Sequence, residues 1–311
     1  MDKVYTIDLN ELEDLEKEEI YDLLKESLHL PDYCGTNLDA LYDALTEMGD
    51  CVINILDCKV QDSVEADNTK YINKIKKVFE DAAEINPCID LHIISSLYLS
   101  RYLSLYDYEY KKGKHYLNAS RRNPKRLVYT KSEKDFANMV ADAVSCIVIL
   151  DNEEDGEPKL LLSREYRYPT GHMLLSVPAG LIDDGDVEED SSICFATTPA
   201  QRAAVREIRE ETGIKLTDKD IVKTVNPLVF STPGMTDESN ALVGVVIRSD
   251  INGQLTQDGA EGSEWFDGFE ILTKDKAREI LKKGVDDNGV FYSVYTCIAL
   301  MYFVSDLWKE D

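Results

Sequence analysis

Apolar positions recur along the first 95 residues with two alternating periods. Val4–Leu9 reads as a short strand, and Leu12–Leu30 reads as a helix. On that helix Leu15, Ile20, Leu23, Leu24 and Leu28 make a rough apolar stripe among many acids. Pro31 and Gly35 then mark a turn, after which Thr36 or Asn37 can cap a second helix. There Leu38, Leu41, Tyr42 and Leu45 fall at i, i+3, i+4 and i+7, a core face, while Asp39, Asp43 and Glu47 share another face. Cys51–Leu56 is an apolar, β-branched strand, Tyr71–Glu84 a helix and Ile89–Ile94 a closing strand.

Beyond residue 96 the pattern changes. Leu97–Tyr110, the turn Lys111–Lys114 and His115–Ala119 predict a hairpin. Val144–Leu150, Lys159–Arg164 and Met173–Val177 predict strands, with Asn152–Glu157 as a hairpin tip. Ala203, Ala204, Ile208 and Thr212 fit a short amphipathic helix with Pro199 in its first turn and Gly213 as its stop. Asn226–Met235 runs into a Pro-Gly loop, Ala241–Arg248 and Glu264–Phe266 read as strands, and Lys274–Lys282 and Phe291–Leu307 as helices. The second half is thus α+β, with a short helix lying against a mixed sheet. The apolar run Val290–Val304 is shorter than the ~20 residues of a membrane span and is expected to be a packed helix.

Composition narrows the picture. A chain of 311 residues has room for two domains. A net charge of −26 argues against a general nucleic-acid surface, which needs a basic stripe, and suits a cytoplasmic protein or a binder of a basic partner. The acid is concentrated: residues 1–95 hold 23 Asp and Glu against 8 Lys and no Arg. Seven scattered cysteines with no C-x-x-C pair predict reduced thiols, and the N-terminus shows no apolar signal core. In so acidic a chain, the basic loop Arg121–Arg126 is expected to steer or clamp a phosphate ligand.

The chemistry centres on Arg206-Glu207-Ile208-Arg209-Glu210-Glu211-Thr212-Gly213-Ile214. Glu207, Glu210 and Glu211 stand at i, i+3 and i+4, so three carboxylates crowd one helix face. Arg206 can reach Glu210, and a divalent cation that prefers oxygen ligands can offset the rest. Ser176–Gly185 precedes this helix and contains a glycine turn able to present backbone groups to a metal and phosphates.

Together these stretches resemble the Nudix box, G-x5-E-x7-R-E-U-x-E-E-x-G-U, with U aliphatic. Arg206–Ile214 matches its right half, and Gly180 begins its left half. Thr198 stands where the family's first Glu is expected relative to Arg206, and Asp186 is the acid at the right distance from Gly180. The two halves are therefore 12 residues further apart than in the family. Glu-Tyr-Arg-Tyr-Pro (165–169), Val-Pro-Ala-Gly-Leu-Ile-Asp (177–183) and Ser231–Glu238 resemble ADP-ribose pyrophosphatases within that family, over roughly residues 97–311.

That resemblance implies Mg²⁺, with Mn²⁺ as an alternative, held by Glu207, Glu211 and the carbonyl of Ala179, with Glu210 close by. Gly180 and Arg167 would contact substrate, Arg167 binding a phosphate, and Glu238 would activate water. It further implies hydrolysis of ADP-ribose or a related nucleoside diphosphate sugar to AMP and ribose 5-phosphate. A homodimer that exchanges the N-terminal hairpin is also implied. On this reading residues 97–131 form a β subdomain and 132–311 the catalytic core.

Residues 1–95 resemble barstar, a ribonuclease inhibitor, through Leu-Pro-x-Tyr-x-Gly-x-Asn-Leu-Asp-Ala-Leu (30–41) and the order of elements. The resemblance implies an α/β domain, a small parallel sheet with helices. Its contact residues carry over to Tyr33, Asp39, Tyr42 and Asp43, and a further contact acid falls near Asn73, amid Lys70, Lys74, Lys76 and Lys77. A basic, ribonuclease-like protein is the partner this implies. A second reading makes the chain an immunity protein whose Nudix half binds without turnover.

Overall fold

The computed structural model describes residues 3–58, 68–152, 156–187, 196–251, 255–259 and 265–309. They fall into two compact units, Met1–Met139 with Thr232–Asp237, and Val140–Ser231 with Glu238–Asp311. Parts of the predicted hairpin tip Asn152–Glu157 and the inserted stretch after Val187, through residue 195, lie outside the described residues.

The first unit is a five-stranded sheet in sequence order. Strands β1 (Val4–Asp8), β2 (Cys51–Asp57) and β3 (Ile89–Tyr98) run parallel. Helices α1 (Lys17–Leu28), α2 (Leu38–Thr46) and α3 (Thr69–Ile85) connect them and bury Ile20, Leu24, Leu41, Leu45, Ile75 and Phe79 against Ile53 and Ile55. Helix α1 is shorter than the apolar stripe suggests. Leu9–Leu12 forms a separate 3₁₀ turn capped by Asp8, and α1 begins at a capping box of Glu16 and Glu19. Asn37 caps α2, its side chain accepting from the Ala40 N–H at 2.8 Å.

The predicted hairpin is present as β4 (Ser104–Lys111) and β5 (Lys114–Ser120), but it completes this sheet: β4 pairs antiparallel with β3. An unpaired β3 would expose a row of backbone donors and acceptors. The hairpin also buries Tyr106 and Tyr108 with Leu56, Ile94 and Leu127 on the face away from the helices. The first unit accordingly runs through the short helix α4 (Glu133–Ala137) to Met139, past the division expected near residue 96. The basic loop is taken up inside this unit: Lys125 pairs with Glu11, and Arg122 Nε lies 3.9 Å from Asp237.

The second unit is a three-layer sandwich around a sheet ordered β10-β11-β6-β7-β12, with β8 on β7 and β9 on β6. The strands are β6 (Ala143–Leu150), β7 (Lys159–Arg167), β8 (His172–Ser176), β9 (Ala179–Leu181), β10 (Ile221–Phe230), β11 (Ser239–Ile247) and β12 (Phe266–Leu272). Among the described residues of this unit, only the β11–β6 strand pair is parallel. Strand β6 is buried on both faces, which explains its unbroken apolar run. Val144, Cys146 and Val148 meet helix α6 (Pro199–Thr212), and Ile147 and Ile149 meet α7 (Lys274–Lys283) and α8 (Val294–Ser305).

Two strands differ from their predicted spans. Strand β12 lies at an edge, is mostly half-exposed and carries a register shift near Gly268, so its alternation is weak. The other edge strand, β10, tolerates Pro227 because an edge residue can lack an N–H partner. The long apolar run near the C-terminus is α8, packed through Ala299, Leu300 and Phe303, with the Thr296 hydroxyl donating to the Leu175 carbonyl at 2.9 Å. Among the described residues, no helix is long and apolar enough to cross a membrane.

Candidate active site

Helix α6 begins where local chemistry requires it to. Thr198 is its N-cap, forming a capping box with Gln201, Pro199 occupies the first turn, and Gly213 closes the helix at φ 76°. Thr198, offset from the family's glutamate, is thus used as a cap. The apolar side of the helix, Ala200, Ala203, Ala204 and Ile208, packs on the sheet.

The same packing carries Glu207 and Glu211 inward, and both are buried. They meet β9, which pairs with the first residues of β6. The Ala179 N–H donates to Glu211 at 3.3 Å, and a Cβ added to Gly180 would fall on the Glu207 carboxylate. Only glycine lets the backbone pass this close.

Arg206 organises the cluster. It donates to Glu207 at 2.7 Å, to Glu210 at 3.1 Å, to Asp186 at 2.9 Å and to the Leu181 carbonyl at 2.8 Å. Burial alone would lower its pKa, but the hydrogen bond to Asp186 and the charges of Glu207 and Asp186 hold the guanidinium protonated more firmly than usual. Asp186 thereby ties the Gly180 side of the lengthened spacing to Arg206. It is itself buried, in helix α5 (Asp184–Val187), and accepts from the Asp183 N–H at 3.0 Å.

Sequence reasoning missed Arg202, one turn before Arg206. Buried, it donates to the carbonyls of Asp186 at 2.7 Å, Val187 at 3.4 Å and Thr197 at 3.1 Å. It thereby ties together the two flanks of the inserted stretch, so the insertion leaves and returns at one point. The only sequence signal was an arginine on the buried side of an amphipathic helix. Beneath the carboxylates, burial raises the Cys146 thiol pKa far above normal, Glu211 and Glu207 add to the shift, and Arg206 opposes it.

The remaining expected residues lie further out. Glu210 is on the outer side of α6, its side chain 42% exposed. Arg167 ends β7 and pairs with buried Glu165 at 2.8 Å. Glu238 immediately precedes β11, with its charge felt by Tyr295 of α8. Ala241, Val243 and Val245 of β11 face α6. Among the described residues, no three His, Cys, Asp or Glu side chains are set to hold a metal ion together, and Arg206 is bonded to both Glu207 and Glu210. The donors available nevertheless suit a hard cation, being carboxylate and carbonyl oxygens only.

In the first unit, Tyr33 is 90% exposed, Asp39 and Asp43 are exposed on α2, and Tyr42 is half-buried against the core. A groove of about 410 Å³ lies beside them, lined by Tyr33, Gly35, Asp43, Glu47 and Met48 among others. Asn73 is exposed on α3, where Lys76 pairs with Asp57 at 2.6 Å and Lys77 with Asp81 at 2.9 Å.

Residues 3–89 match the family model described as Barstar (barnase inhibitor), and residues 139–290 match the NUDIX domain model. The chain therefore carries a barstar domain and a NUDIX domain. It is 37% identical over 110 residues to a putative nudix hydrolase 2 of Caenorhabditis elegans, covering 35% of this chain and 42% of that protein. It is 31% identical over 150 residues to the ADP-ribose pyrophosphatase of Saccharomyces cerevisiae, covering 48% and 57% of the two chains. To the ADP-sugar pyrophosphatase of Mus musculus it is 34% identical over 136 residues, covering 44% and 54%. The matched stretch spans about half the length of these relatives.

Proposed function

We propose that this chain, with its barstar domain at residues 3–89 and its NUDIX domain at residues 139–290, hydrolyses the pyrophosphate bond of a nucleoside diphosphate sugar. ADP-ribose is the first substrate to test, with AMP and ribose 5-phosphate as products. The observation that carries this reading is the convergence of Asp186, Glu207 and Glu210 on Arg206, beside a glycine that leaves no room for a side chain.

Glu207, Glu211 and the Ala179 carbonyl would hold Mg²⁺ or Mn²⁺, with Glu210 at the margin. Such an ion neutralises charge on the pyrophosphate and lowers the pKa of bound water. Asp186 holds Arg206, Arg206 holds the glutamates, and Gly180 keeps β9 against them. Arg167, half-exposed, takes a phosphate oxygen as a planar guanidinium does. The proton of the attacking water goes to a carboxylate, either Glu238 or the exposed Glu210. Glu238→Gln and Glu210→Gln separate these roles, because losing the general base costs about 10²–10⁴-fold in kcat.

The deciding experiment is hydrolysis of ADP-ribose, ADP-glucose, GDP-mannose, NADH and diadenosine polyphosphates in Mg²⁺, with Glu211→Gln as control. AMP release from ADP-ribose that Glu211→Gln abolishes supports the reading, and turnover of none of the panel sinks it. The barstar domain would present Tyr33, Asp39 and Asp43 to a basic, ribonuclease-like protein, a role favoured by the exposure of all three and by the groove that Tyr33 and Asp43 line. Salt-sensitive binding of such a protein, lost in Asp39→Ala with Asp43→Ala, is its test.

A further inference from the structure

The face of the second sheet that turns away from α6 carries a pocket that the carboxylate cluster does not use. Val243 and Val245 face α6, so Gly244 and Val246 face α8. The strand register sets Lys223 beside Gly244, Ile221 beside Val246 and Val246 beside Ile149. Tyr302 of α8, and Trp308 just past the end of that helix, complete the lining. Gly244 admits the tyrosine: a Cβ there would stand 3.5 Å from the Tyr302 ring and 3.2 Å from Val225. The Trp308 indole is fixed by its N–H, which donates to the Phe303 carbonyl at 3.3 Å. The result is a cavity of about 170 Å³. Ile149 and Val246 are buried in it, while three cations, Lys223, Arg248 and Lys309, are exposed around it.

Three cations around one pocket run against a chain of net charge −26. Among the described residues that line it, Asp151 is the one carboxylate. Lys309 lies 3.1 Å from Asp306, but Lys274 bonds the same carboxylate, so these two lysines keep an excess of positive charge. Asp220, next to β10, is taken up by the N–H groups of Thr217, Arg248 and Ser249. Like charges held together cost energy that a bound anion offsets. We propose that this pocket binds a phosphate group, as free phosphate or as a small phosphate monoester. The planar fork of Arg248 matches two phosphate oxygens, and the lysines add point charge. Drug-sized ligands take cavities of about 300–1,000 Å³, so a whole nucleotide is too large. A pentose phosphate is the better match, its carbon skeleton lying against Tyr302 and Trp308. The site is on the other face of the sheet from Glu207 and Glu211, and it does not depend on the hydrolase reading.

Trp308 reports on the pocket, because the Lys309 ammonium lies 5.1 Å from its ring centroid. The chain has two tryptophans, so Trp265→Phe leaves Trp308 as the single emitter. In that full-length variant, at constant ionic strength and without divalent metal, ribose 5-phosphate and inorganic phosphate should change the emission saturably. Uncharged ribose should not. Tighter saturation by ribose 5-phosphate assigns the site to a monoester, and equal saturation assigns it to free phosphate. Arg248→Gln with Lys223→Gln should weaken binding by about tenfold or more while the thermal unfolding transition stays cooperative. Lys309→Gln, a change at an exposed position, should weaken it less, and it carries the test if the double variant misfolds. Emission indifferent to both anions, a response that sodium chloride reproduces, or saturation unchanged in these variants overturns the site. Leaving out metal keeps phosphate from being drawn to the carboxylates of α6. Failure here therefore leaves the hydrolase reading standing, and phosphate binding without turnover of any pyrophosphate does the reverse.

Discussion

Two helices of this chain carry acids at the same spacing and put them to opposite uses. On α2, Asp39 and Asp43 stand at i and i+4, both exposed. On α6, Glu207 and Glu211 also stand at i and i+4, both buried. The difference lies in what packs opposite. The apolar face of α2, Leu41 and Leu45, turns away from its aspartates and into the core. In α6 the small residues Ala200, Ala203 and Ala204 let the helix settle on the sheet, and its glutamates meet a strand that contributes a glycine and an N–H donor. Buried carboxylates are costly unless bonded, so the second arrangement needs Arg206 and β9. The first needs only water.

Gly180→Ala strikes this contrast hardest. The new methyl would displace the Glu207 carboxylate, the flexible end of a side chain, so the fold should survive while turnover of ADP-ribose falls about 100-fold, as when a reacting group is misplaced by ~1 Å. A variant with normal kcat would show that Glu207 need not stay where α6 puts it.

Asp186→Ala comes next. It leaves Arg206 bonded to Glu207 and Glu210 but without its brace, at a cost of about 1–3 kcal/mol in chemical denaturation and roughly 10–100-fold in metal affinity. An unchanged metal response would mean that the displaced first acid of the box is ornamental.

Asp220 extends the comparison to pH. Burial pushes its pKa up, but bonds from the N–H groups of Ser249, Thr217 and Arg248 and from the Ser249 hydroxyl outweigh this and leave it below the ordinary carboxylate value. A depressed folded pKa contributes stability that is present above the unfolded value, about 3.9, and is lost as pH falls through the folded one. Thermal unfolding should therefore become easier below about pH 4, and Asp220→Asn should flatten that part of the acid dependence. An identical acid profile would assign it to other groups.

The smallest effect belongs to α2. Asp39→Asn with Asp43→Asn should move stability by no more than about 0.5 kcal/mol, because these acids face solvent. A larger change would place them in a network that the exposed helix does not suggest.

Much of this is legible in the sequence. The helix stop at Gly213, the Arg206–Glu210 pair and the packed C-terminal helix all follow from spacing and from residue types with strong local preferences. Edge strands were read less well. Strand β12 shows little alternation, and β10 contains Pro227, so neither carries the period that marks a half-buried strand. Arg202 was invisible for another reason: its partners are three backbone carbonyls, which no residue pattern records.

By itself, then, the sequence determined the local elements, the two resembling halves and the residue types gathered in the box. Periodicity, caps and short-range charge spacing act within a few residues and need no tertiary context. Tertiary structure decided which acids are buried, that Asp186 and not Thr198 meets Arg206, and that the hairpin of residues 104–120 completes the first sheet. Those outcomes depend on which surfaces meet. A carboxylate, a glycine or a strand edge takes its role from the group that packing sets against it, often far away along the chain.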